Sequence, residues 1–153
     1  MKYWLMKSEP SVYGIDVLQK DKVTSWGGVR NYQVRNMFRD HFAKGDLAFF
    51  YHSSCDEPGI VGTMTVAGPA YPDPAQFDQG SAYFDLRSPR QNPTWLAVDV
   101  RFKHRFARPL SLEALRHHPE LAGLQILRRG NRLSVTPLME SEAEFVLAMR
   151  AYI

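Results

Sequence analysis

Five consecutive residues, Leu47-Ala48-Phe49-Phe50-Tyr51, carry no charge and almost no polarity. In a strand, neighbouring side chains point to opposite faces. Such a run therefore has apolar surface on both sides and is stable only in the middle of a sheet covered twice. The rest of the chain has to supply the other strands and a layer for each face. Tyr3-Trp4-Leu5-Met6 is a second compact apolar run and predicts a buried strand in the same sheet. Residues 60–67 alternate β-branched with small side chains and predict the hairpin partner of the central strand. Residues 95–100 predict a further strand that can extend to 106, and residues 132–135 a short one.

The helical signals are shorter. Residues 15–20 predict one turn or two. Val34, Met37, Phe38 and Phe42 recur at helical spacing, so residues 30–42 predict an amphipathic helix. Ser111 is placed to cap a helix running to Arg116. Ser141-Glu142-Ala143-Glu144 has capping-box spacing, and the helix after it would bury Phe145, Ala148, Met149 and Tyr152 on one face. Residues 68–94 hold five prolines and several Asp and Arg residues. A connection this long without elements of its own is expected to pack down on the domain. The sum is an α+β fold: one domain over residues 1–153, with a curved mixed sheet able to close as a small barrel, flanked by short helices.

Composition limits the function classes. Apolar residues make up 44% and charged residues 23% of 153, a globular balance. No apolar run approaches the roughly 20 residues that cross a bilayer. Cys55 is the single cysteine, so no intrachain disulfide forms, and a reducing, cytoplasmic setting is expected. The net charge of +3 permits contact with phosphates without demanding it.

Three stretches place aromatic faces beside groups that hydrogen-bond: Trp4 to Pro10, Trp26-Gly27-Gly28-Val29-Arg30-Asn31-Tyr32-Gln33, and Phe49-Phe50-Tyr51-His52-Ser53. Reading one base needs that combination, a π-surface to hold the ring and buried donors and acceptors to read its edge. In the second stretch the two glycines allow close approach of a ligand. Asn31 and Gln33 suit a base edge, and Arg30 and Arg35 suit phosphate. The same residues also fit a core tryptophan, a glycine turn and a solvated basic helix.

Taken in order and spacing, these stretches resemble the EVE family of the PUA-like superfamily, related to the YTH readers of methylated adenine in RNA. The likeness continues through Ala70-Tyr71-Pro72-Asp73, Tyr83-Phe84-Asp85, Asn92-Pro93-Thr94-Trp95 and Arg129-Gly130-Asn131-Arg132-Leu133-Ser134-Val135, and so covers nearly the whole chain. The resemblance implies a PUA-like fold and a non-catalytic module, without cofactor or metal, that binds modified bases such as 5-methylcytosine or its oxidised forms in DNA, with RNA as a further partner. It implies a pocket with Trp26 as a cage wall and Lys7 and Ser8 offering polar contacts. Asn31 and Tyr32 would line it, Tyr51, His52 and Ser53 would close it, and Arg30 and Arg35 would stand toward phosphate. The chain lacks the long basic N-terminal extension of eukaryotic nuclear members and resembles the bare bacterial domain, expected to act as a monomer.

Other features carry less. His52-Ser53-Ser54-Cys55 suggests nucleophilic chemistry, but adjacent strand residues face opposite ways. His104, His117 and His118 lack a metal-ligand spacing with a carboxylate or Cys partner. Asp73, Asp78 and Asp85 read as turn and capping residues. The alternative function is a small enzyme processing nucleic acid or nucleotides on the same fold. As a cage wall, Trp26 is expected to be removable with little loss of stability.

Overall fold

The computed structural model describes residues 1–149. A mixed sheet of seven strands organises the chain. β1 (Tyr3–Ser8) runs parallel to β3 (Leu47–His52), which forms an antiparallel hairpin with β4 (Gly59–Val66). β2 (Val23–Trp26) and β5 (Tyr71–Pro72) both pair with β6 (Leu96–Ser111), and β7 (Val135–Leu138) pairs with β1. The order is β2-β6-β4-β3-β1-β7. Among the described residues β2 and β7 do not pair with each other, so the curved sheet stays open along one seam rather than closing as a barrel.

β3 is central, as its composition demands, and its alternation sorts the core into two layers. Ala48 and Phe50 join Trp4, Met6, Trp26, Val98 and Val100 on the inner face. Leu47, Phe49 and Tyr51 join Leu5, Ile60, Phe106, Leu110 and Leu115 on the other. The inner layer is covered by α1 (Ile15–Asp21) and α2 (Tyr32–Asp40), which contribute Ile15, Leu18, Val34 and Phe38. The outer layer is covered by α3 (Leu112–Arg116) and α4 (Glu140–Met149) together with Leu121 and Leu124 of the turns between them.

Several boundaries differ from the sequence expectation. α2 begins at Tyr32, because Asn31 is extended and caps the helix with its own side chain. The last strand begins at Val135, not Arg132. β6 runs on to Ser111, with register shifts against β4 that let one long strand follow the curvature. The short strand β2 escaped periodicity altogether. α4 starts earlier than its capping box suggests: the N–H of Met139 donates to Glu142 Oε1 at 2.8 Å, so Glu142 rather than Glu144 reaches back. Its buried positions are Glu142, Ala143 and Val146, while Ala148 is exposed. Tyr152, expected on that face, lies outside the described residues.

Residues 68–94 do pack down, held from inside. Gln76, fully buried, donates to the carbonyls of Asp73 and Trp95, and its own carbonyl accepts from Ser88 Oγ and Trp95 N–H. One amide thus fastens both ends of the segment to the start of β6, and no unpaired polar atom of its side chain is left inside.

Candidate nucleic-acid interface

A cleft of about 510 Å³ opens at the seam of the sheet. Lys7 and Ser8 of β1 and Ser134 before β7 form one bank; Thr24, Ser25 and Trp26 of β2 form the other. The turn after β1 contributes Val12 and Tyr13, and the segment after β2 contributes Gly28 and Arg30. That size lies within the range of pockets that enclose small organic molecules.

Trp26 forms the inner wall and is also core. It is 8% exposed, and its ring meets the edge of Phe50 at 5.4 Å between centroids. The expectation of a wall removable at little cost fails here, since a tryptophan this buried is part of the packing.

Beyond Trp26 the chain makes the bend that the two glycines allow. Gly28 has φ +73°, a conformation costly for residues with a β-carbon. Its N–H donates to Asp73 Oδ2 at 2.8 Å, and the same oxygen accepts from Arg30 at 3.0 Å. Asp73 is itself buried, and Oδ1 accepts from Ala75 N–H. Three more of the five Arg30 N–H groups donate to the carbonyls of Val29 and Tyr83. Its guanidinium therefore lines the cleft as a clamp neutralised by Asp73, and the expectation of a free phosphate-binding arginine is corrected. What the clamp holds is Tyr83, half-exposed, with its ring against Gly28 at the cleft rim.

On the opposite bank Ser8 Oγ donates to the Tyr13 carbonyl at 2.6 Å, fixing the turn that carries Val12 and Tyr13. Lys7 is half-buried, and burial holds its ammonium below the usual lysine value. Among the described residues it has no carboxylate within ion-pair distance. Asn31 also reaches the cleft, but its side-chain carbonyl accepts from Val34 N–H, so that helix terminus is already capped.

The structure thus brings Lys7, Ser8, Trp26, Arg30 and Asn31 together and leaves five expected residues outside. Tyr51 belongs to the outer core layer, separated from Trp26 by the thickness of the sheet, and burial pushes its phenol up to about 12. The reason is strand alternation: Phe50 faces Trp26, so Tyr51 cannot. His52 faces the inner side but serves α1, its Nε2 accepting from Ile15 N–H at 3.1 Å. Ser53 is held by its N–H to the Ser8 carbonyl and does not line the cleft. Tyr32 lies against Trp95, beneath the guanidinium of Arg35. Arg35 donates to Asn36 and to the Thr94 carbonyl, facing a different groove between α2 and residues 69–96. Sequence reasoning missed Tyr13, Thr24, Ser25, Tyr83 and Ser134 as lining residues. Tyr83 and Ser134 had a signal, each within a stretch that carries the family resemblance, Tyr83-Phe84-Asp85 and residues 129–135.

The EVE domain model matches residues 2–149. Human thymocyte nuclear protein 1 is 39% identical over 166 residues, covering 96% of this chain and 73% of the human protein. The chicken protein of that name is 40% identical, covering 96% and 68%. Among solved structures, a Pseudomonas syringae protein superposes with a TM-score of 0.92 at 43% identity, covering 97% of this chain and 99% of that one. The human THYN1 protein, solved in complex with 5-methylcytosine containing DNA, superposes with a TM-score of 0.90 at 38% identity, covering 98% of each. An ASCH protein from Zymomonas mobilis, 13% identical with a TM-score of 0.57, shares the fold. No described helix is long and apolar enough to cross a membrane. The order of strands around an open seam, the match of a single family model across almost the full length and the close relatives all agree: the chain belongs to the EVE domain family.

Proposed function

We propose that this chain is a non-catalytic DNA-binding module that takes one modified base, 5-methylcytosine or an oxidised derivative, into the cleft at the seam. One observation carries the reading: a relative of the same fold over 98% of the chain is solved with 5-methylcytosine containing DNA. The cleft has the matching chemistry. Trp26 and Tyr83 offer ring faces or edges, and stacking on an aromatic is worth about 1–3 kcal/mol per base. Lys7, a partly dehydrated cation without a carboxylate partner among the described residues, suits a base carbonyl or a phosphate oxygen. Ser8 and Asn31 supply further polar contacts, and the module acts as a monomer on one base at a time. Tyr32, Arg35, Tyr51, His52 and Ser53 support this from outside the cleft, through the packing described above. An RNA strand carrying a modified base fits the same chemistry and serves as the comparison ligand.

The test is a binding titration with fluorescent duplexes that differ only in one cytosine, methylated or not, alongside an RNA strand of the same sequence. The methylated duplex binds more tightly, and Lys7→Met lowers affinity without lowering the thermal midpoint. Equal affinity for both duplexes would remove the reading. Release of any product from either duplex would favour the enzymatic alternative.

A further inference from the structure

Among the cations expected to meet phosphate, Arg30 and Arg35 are engaged by the protein itself. A second group of cations, Arg105 apart, has no such partner among the described residues. Residues 101–108 of β6 contain Arg101, Lys103, Arg105 and Arg108 and no acidic residue, more positive charge than the whole chain's excess of +3. All four are exposed. Val98 and Val100 lie in the inner core layer, so strand alternation sends Asp99 and Arg101 to the outer face of the sheet, while Lys103 is the extra, exposed residue of a bulge between Phe102 and His104. Asp99 and Arg101 continue a row that starts at the cleft. Ser25 of the cleft bank is paired with Asp99, and Val23 with Arg101. Same-face residues on a strand stand about 6.8 Å apart, so Arg101 lies one such step beyond the rim, and Lys103 follows it at the bulge. Lys22, also exposed, joins the group: its carbonyl accepts the N–H of Phe102 at 2.7 Å.

The carboxylates nearby are accounted for. Asp99 accepts from the Tyr71 hydroxyl at 2.6 Å. Asp16 pairs with Arg105 at 3.0 Å, and Asp21 accepts from the Tyr13 hydroxyl. Arg101, Lys103 and Lys22 have no carboxylate within ion-pair distance among the described residues.

We propose that the exposed stretch of β6 at Arg101 and Lys103, with Lys22, carries the phosphodiester backbone that flanks the captured base. The inference rests on the base-capture reading for its geometry and separates from it in its effect. Contacts to phosphate set affinity without distinguishing sequence or modification, whereas contacts in the cleft set the preference.

The experiment uses the full chain with Arg101 and Lys103 both changed to Gln, and Arg116→Gln, an exposed cation in α3 past the opposite end of β6, as control. Binding to methylated and unmethylated duplexes is measured over a salt series. Each lost phosphate contact takes about 0.9 from the slope of log K against log salt, so the double variant has a slope shallower by roughly 1.8 with an unchanged methylated-to-unmethylated ratio. The thermal midpoint stays where it was, since both side chains are exposed. Arg116→Gln leaves slope and ratio alone. A wild-type slope retained in the double variant overturns the proposal, as does a shallower slope of the same size in Arg116→Gln. If the wild type shows no preference for methylation but the double variant still flattens the slope, the base-capture reading fails and the backbone surface stands.

Discussion

The ring of Tyr83 lies so close to Gly28 that a β-carbon at position 28 would stand 2.9 Å from two of its carbons. The aromatic rim of the cleft and the glycine turn are therefore one unit: the missing side chain of one is the seat of the other. Gly28→Ala meets two penalties, the left-handed backbone at φ +73° and the displacement of Tyr83. The backbone alone costs about 1–2 kcal/mol. The variant is expected to have a lower denaturant midpoint and weaker binding to methylated DNA, read by urea unfolding and by the same titration.

Tyr83 and Trp26 separate rim from core. Tyr83, 47% exposed, contributes little to folding, so Tyr83→Ala keeps its thermal midpoint and loses about 1–3 kcal/mol of binding if it stacks on a base. Trp26→Ala, at 8% exposed, instead loses about 3–5 kcal/mol of stability. Calorimetry and titration of the two variants side by side check this. A Trp26→Ala chain that melts with the wild type would show that the tryptophan is no part of the core.

Asp73 gathers the clamp. It is 3% exposed and accepts from Gly28, Arg30 and Ala75. Removing the carboxylate leaves a partly buried guanidinium and two N–H groups without their partner, and loss of one member of a buried pair costs about 3–5 kcal/mol. Asp73→Ala is expected at the lower end of that range, because Arg30 keeps its two carbonyl acceptors. Asp73→Asn, which retains an acceptor, is milder. Urea midpoints order the three proteins.

His52 adds a pH dependence. Its Nε2 accepts from Ile15 N–H, which requires the neutral ring. Burial lowers its proton affinity first of all, with Arg105 acting the same way and Asp16 opposing. The folded chain thus binds the proton less readily than the unfolded chain. The associated stability is complete above the ordinary histidine value of about 6.5 and is lost as pH falls through the lower folded value. The thermal midpoint is expected to drop between pH 7 and pH 5, and to drop less in His52→Gln, whose amide oxygen accepts the same hydrogen bond without titrating. Equal drops in both proteins would assign the pH dependence to other groups.

The strands that anchor the fold were legible because each is a dense apolar run. Leu47 to Tyr51 could be nothing but a doubly covered strand, and the alternation that makes it so also excludes Tyr51 from the cleft. β2 left no such mark: Val23-Thr24-Ser25-Trp26 is an edge strand with one buried residue, and its pairing with β6 is a long-range fact that no local pattern encodes. The site was legible in part for the same reason. Trp26, Ser8 and Asn31 sit in conspicuous motifs. Arg30 looked free because nothing nearby in sequence reveals Asp73, 43 residues away, as its partner. Tyr83 was hidden in a loop whose path is set by one buried glutamine.

An open seam differs from the mouth of a closed barrel in what can pass through it. A closed mouth is a hole, which admits a free molecule or the end of a chain. A seam is a slot bounded by two strand edges, here β2 on one side and the ends of β1 and β7 on the other, that share no ladder hydrogen bonds among the described residues. A ring hanging from a continuous polymer can slip into a slot sideways while the polymer runs on, uncut, in both directions outside. Two unpaired edges would ordinarily be a hazard for aggregation; facing each other across the cleft, they are, on the proposed function, the feature that lets a polymer present a single unit without being threaded.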